Sequence, residues 1–111
     1  MIPQEEIIVP SSDAPINHIW AFAHTYNAYD RHDGMDGASA IGNDMRDRWN
    51  EGQPLSDELN QCRAALFFEA RRWRHYGYDP DGRDLTYIRT LVGHIAVLSG
   101  GAVPGPSDDL P

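Results

Sequence analysis

The sequence predicts an all-α domain: a compact four-helix bundle-like body with an extended N-terminal arm and a flexible C-terminal tail. Three observations carry this. Apolar residues recur at three-and-four spacing in separate stretches of the chain. N-cap candidates and glycine stops bracket most of those stretches. The length, 111 residues, suits one hydrophobic core, and a chain of this size buries roughly two-thirds of its unfolded surface without metal or disulfide support. The expected division is an arm over 1–12, a helical domain over 13–99 and a tail over 100–111.

The arm contains Pro3, Pro10 and the short apolar run Ile7, Ile8, Val9, too short for a helix and too isolated for a confident strand. Helix one is expected from Asp13, an acidic N-cap followed by Ala14 and Pro15, to a stop at Asp33-Gly34. Within it Ile16, Ile19, Trp20, Ala23 and Tyr26 or Asn27 share one face. Helix two is expected from about Ala38 to Glu51, on the stripe Ile41, Met45, Trp49, with Gly52 as its stop. Gly42 costs this helix about 1 kcal/mol relative to alanine, so tertiary contacts must hold it.

Helix three has the strongest signals. Ser56 is a favourable N-cap, Asp57 and Glu58 suit the positive end of the dipole, and Arg71, Arg72, Arg74 and His75 suit the negative end before Gly77. Leu59, Cys62, Leu66, Ala70 and Trp73 form a stripe, and Ala64, Ala65, Phe67 and Phe68 extend it around the circumference, which marks a central helix. Helix four is expected from Asp79, with Pro80 in the first turn, or from Asp84 because Gly82 weakens that turn. Its stripe is Leu85, Ile88, Leu91 or Val92, Ile95 and Leu98, ending at Gly100-Gly101. The glycines and prolines of the tail resist packing.

Charge narrows the partners. The net charge of −8 repels phosphate backbones and anionic lipid, so neither direct nucleic-acid binding nor membrane association is expected. The acid is concentrated early: residues 1–62 hold 11 acids and 3 arginines, whereas residues 63–89 hold 4 acids and 6 arginines. All 9 basic residues are arginine, each a planar multidentate donor suited to carboxylates and aromatic faces. No apolar run approaches the roughly 20 residues that span a bilayer. One cysteine, Cys62, and no secretion leader lead to the expectation of a reducing cytoplasm.

Three residue groups could carry chemistry. His24, Asn27 and Asp30 form a possible polar pocket, but His24 and Asp30 are six apart, whereas two ligands on one helical face need three or four. With His32, Asp33 and Asp36 the segment also fails the calcium-loop pattern, because Ile41 stands where the closing glutamate belongs. Asp79, Asp81 and Asp84 fail likewise, with Arg83 among them. No metal and no cofactor is therefore expected. The third group, Arg71, Arg72, Arg74 and His75, is interleaved with Trp73, Tyr76 and Tyr78. Helix-end neutralisation and pairing with acids explain much of it; recognition of a carboxylate, a phosphate or an acidic partner segment explains the rest. Trp73 turns to the core and Arg72 nearly opposite. No catalytic motif occurs, and Cys62 lies on an apolar stripe without a visible activating partner.

The stretch Leu66-Phe67-Phe68-Glu69-Ala70-Arg71-Arg72-Trp73-Arg74-His75-Tyr76-Gly77, followed by Asp79-Pro80 and Tyr87-Ile88-Arg89, resembles a segment of small uncharacterised helical proteins from GC-rich bacteria. The resemblance implies no activity and no functional residues.

The expected function is a small acidic cytoplasmic protein-interaction or regulatory module without catalytic activity, binding another protein through Arg71, Arg72, Arg74 and His75, with a homodimer as a further possibility. Two alternatives stand beside it. An acidic mimic of nucleic acid that inhibits another protein would explain the charge of residues 1–62. A metal-dependent enzyme or metal-binding protein would use the His24/Asp30 region.

Overall fold

The computed structural model describes residues 6–76 and 82–105, with the backbone alone for residues 27–38. In chain order these form strand β1 (Glu6–Ile8), helix α1 (Ile16–Ala23), a 3-10 turn (His24–Tyr26), helix α2 (Asn27–Asn50), helix α3 (Leu59–Tyr76), helix α4 (Gly82–Ser99) and strand β2 (Ala102–Pro104). The all-α, four-helix expectation holds, with a two-stranded sheet added.

Helix α3 is central, as its near-continuous apolar circumference requires: it packs against α1, the 3-10 turn, α2 and α4. Cys62, Ala65, Leu66, Ala70 and Trp73 meet Ile19 and Phe22 of α1, Met45 of α2, and Tyr87, Ile88, Leu91, Val92 and Ile95 of α4 in one core. The close approach of α2 to α3 passes through Gly42, where an added Cβ would lie 2.8 Å from the Phe68 Cβ. The absence of a side chain there lets Phe68 sit against the α2 backbone, which offsets the glycine's poor helix propensity.

Helix α2 is where the boundaries differ from expectation. The chain does not stop at Asp33-Gly34; it remains helical through them, and the break falls at the 3-10 turn. The expected helix two is thus the C-terminal part of one 24-residue helix. Its end is as expected. Gly52 adopts φ 73°, the Gly52 N–H donates to Trp49 O at 3.1 Å and the Gln53 N–H to Arg48 O at 2.8 Å, the two bonds of a Schellman cap. The same pair closes α4, where Gly100 donates to Val97 O and Gly101 to Ala96 O.

At the other ends the helices start later than their cap candidates. Asp13 lies in a turn in which its N–H donates to Ser11 Oγ, and α1 begins after Pro15, whose carbonyl accepts from His18 and Ile19. Ser56 Oγ accepts from the Glu58 N–H, and Glu58 O then takes the Cys62 N–H, so α3 begins at Leu59. The Asp79-Pro80 start expected for α4 lies outside the described residues.

The arm is extended, and residues 100–105, expected in the tail, belong to the folded body. After the positive-φ pair Gly100-Gly101 the chain reverses into β2, antiparallel to β1 with Ile7 opposite Val103. Val9 and Val103 are buried in the core, each worth about 1.5–3 kcal/mol, which outweighs the disorder expected from the flanking glycines and prolines. One arginine secures β2 and another the segment that follows β1. Arg63 donates to Pro104 O at 3.1 Å while lying 4.5 Å over the Tyr26 ring, and Arg89 donates to Ser12 O and Ala14 O, both at 2.7 Å.

Candidate functional site

At the C-terminal end of α3, Arg71, Arg74 and His75 follow the i, i+3, i+4 pattern that places side chains on one helical face. The 3-10 turn brings His24 opposite them. Together these four line a cleft of about 560 Å³. Behind these side chains lies the buried Phe67: the His24 ring meets it edge-on with centroids 6.0 Å apart, and the Arg71 guanidinium lies 5.6 Å from its centroid. Phe67 and Arg71 are four apart, so one turn of helix builds the platform and the cation over it.

The electrostatics follow from this placement. Burial lowers the pKa of His24, and Arg74 and Arg71 lower it further, so the imidazole stays neutral and can donate or accept a hydrogen bond. Arg71 and Arg74 keep their charge, and Arg74 and His75 occupy the last turn of α3, where the helix dipole favours cations. A second hollow of about 360 Å³ adjoins the first, lined by Phe68, Arg71, Arg72, His75 and Tyr76. Arg71 and His75 are the wall between the two. The first hollow is lined by arginine and imidazole; the second adds aromatic surface.

Of the polar pocket expected from sequence, His24 lies beside the partner-binding group. His24 joins Arg71, Arg74 and His75, while Arg72 turns to the second hollow and toward Glu69, 3.7 Å away. Trp73 is buried, as its position on the wheel requires. Asn27 and Asp30 belong to α2, but their side chains lie outside the described residues.

A second polar constellation was not anticipated. Glu69 is fully buried, and its Oε2 accepts from Arg46 Nη1 at 2.9 Å. Arg46 Nη2 donates to Asp84 Oδ1 at 3.0 Å, and the same guanidinium lies 5.8 Å from the Tyr87 ring centroid. Burial raises the Glu69 pKa, opposed by Arg46, Arg72 and the Trp73 indole. Burial likewise raises the Tyr87 phenol, which is also fully buried. An acid within an apolar run, with arginine three residues later, is the sequence signal that could have marked Glu69. Through Arg46 and Asp84, Glu69 ties α2, α3 and α4 together.

Cys62 is buried, and burial with help from Asp57 raises its pKa to about 11. It donates to Ser56 O, the carbonyl that also receives His94 Nε2 at 2.8 Å. A protonated, enclosed thiol is a small core side chain and not a nucleophile. Among the described residues no group of three or more His, Cys, Asp or Glu is placed to hold a metal ion, and no helix is long and apolar enough to cross a membrane. The chain matches no protein-family model, no curated protein and no solved structure.

Proposed function

We propose that this chain is a small non-catalytic protein-interaction module whose docking face is the cationic end of α3, and that its partner presents an acidic segment. The supporting observation is the cleft itself. In a chain of net charge −8, Arg71 and Arg74 converge with the imidazoles of His24 and His75 on a recess open to solvent. Paired guanidiniums are the donors best matched to carboxylates, and their contrast with the acidic remainder of the surface steers an acidic ligand to this end. The lone buried Cys62 accords with a reducing cytoplasm as the setting.

Binding of a fluorescent Asp/Glu-rich peptide, measured by anisotropy, tests the reading. Wild-type protein is expected to bind it in a salt-dependent manner, and Arg71→Ala/Arg74→Ala to lose at least tenfold in affinity. Equal binding by the two proteins, or none by wild type, would refute the proposal. Concentration-dependent self-association abolished by the same double variant would redirect it to a second copy of this chain.

A further inference from the structure

We infer that the acidic segment is bipartite, its anionic group seated among His24, Arg71, Arg74 and His75 and a neighbouring aromatic side chain lying in the adjoining hollow against Phe68 and Tyr76. The inference rests on the docking reading above and adds the chemistry of the ligand.

The two hollows share a wall. Arg71 and His75 are four residues apart, about 6 Å along the helix axis, and each lines both hollows. A ligand wider than a single acidic group can therefore reach both hollows across this ridge. In an extended peptide, side chains two residues apart lie about 6.6 Å from each other on the same side, so an acid and an aromatic residue at that spacing place one group on each side of the ridge.

The two sides differ as those groups require. The His24 side offers two permanent cations and two imidazoles. The other side offers Phe68, which is half-buried, Tyr76, which is 63% exposed, and the Arg72 guanidinium, a stacking partner for an aromatic ring. Tyr76 is one of the few large hydrophobic side chains on the described surface with so much area open, and its edge-on contact with His75, centroids 5.1 Å apart, joins it to the ridge. At about 560 and 360 Å³, both hollows fall within the roughly 300–1,000 Å³ range of sites that enclose compact organic groups. The chain's negative charge disfavours a nucleic-acid polymer; a short acidic peptide brings few charges and can keep them all at this end.

Three labelled peptides of equal length test this by anisotropy: one with an aromatic residue two positions from an aspartate, one of the same charge with alanine for the aromatic, and one with the aromatic but no acid. The first is expected to bind about tenfold tighter than the second, and the third not measurably. Tyr76→Ala should abolish the advantage of the first peptide over the second, and Tyr76→Phe should retain it. Equal affinities of the first two peptides would overturn this inference and leave the docking proposal standing; failure of every acidic peptide would overturn both. Adenosine monophosphate displacing the first peptide more strongly than its unlabelled form does would also overturn it, assigning the paired hollows to a nucleotide.

Discussion

Replacing Arg46 by alanine removes, among the described residues, the one cation hydrogen-bonded to a carboxylate with no solvent exposure. Glu69 Oε2 would be left with the more distant Arg72, at 3.7 Å, and Asp84 would lose its 3.0 Å bond. Breaking a buried pair by deleting one partner costs about 3–5 kcal/mol. Because the Arg46 side chain is 23% exposed, water can follow it in, and the lower end, about 3 kcal/mol, is expected. For a domain of this size that lowers Tm by about 12 °C or more, with a matching drop in urea midpoint. The pH dependence identifies the cause. A carboxyl whose folded pKa is raised binds more protons folded than unfolded, so its contribution to stability falls as pH rises from the ordinary carboxylate value through the folded one. Loss of Arg46 raises the folded value further, so the destabilisation should be largest near neutral pH and shrink on acidification as Glu69 takes up a proton. Adding Glu69→Gln to Arg46→Ala should recover part of the loss. A cost under about 1 kcal/mol, a cost that grows toward acid, or a double variant less stable than the single would refute the assignment of Glu69 as a charge held by Arg46.

Three further outcomes follow from the same contacts. Gly42→Ala should destabilise by about 1–3 kcal/mol in urea titration, because overpacking against Phe68 exceeds the gain in helix propensity, and Phe68→Ala should relieve part of that penalty. Cys62, with its thiol pushed up to about 11, should be inert to a thiol reagent at neutral pH in the native state and react at once in denaturant. The His24 ring protons should titrate below the ordinary histidine value by NMR, and Arg71→Ala/Arg74→Ala should move the titration upward, since both cations depress it. The unfolded chain then binds more protons, so the stability linked to His24 is complete above the ordinary value and declines as pH falls through it.

What local pattern could reveal divides along physical lines. Helices α3 and α4 were legible because their apolar stripes bury against neighbours, and Gly52 and Gly100 were legible as stops because a Schellman cap needs positive φ at that position. The Asp33-Gly34 stop was not, since a glycine's local preference is weaker than the packing of Met45 and Gly42 on α3, and the true break at His24–Tyr26 contains neither glycine nor proline. The strand pair escaped notice because its halves lie at opposite ends of the sequence and each is short. At the candidate site, Arg71, Arg74 and His75 could be grouped by helical spacing alone. Adding His24 required the 3-10 turn, and adding Phe67 required knowing which side of a nearly all-apolar helix faces that turn.

The register of β1 and β2 has a mechanical consequence. Glu6 lies opposite Pro104 and Ile8 opposite Ala102, so the outgoing chain leaves both strands at the same rung. A force pulling these ends apart loads one backbone bond at a time, like a zipper, instead of sharing the load among all of them as parallel shear would. If the module is tethered at both sides, tension should peel the clasp from the helices before it disturbs the Glu69 tie or the cleft at the far end of α3.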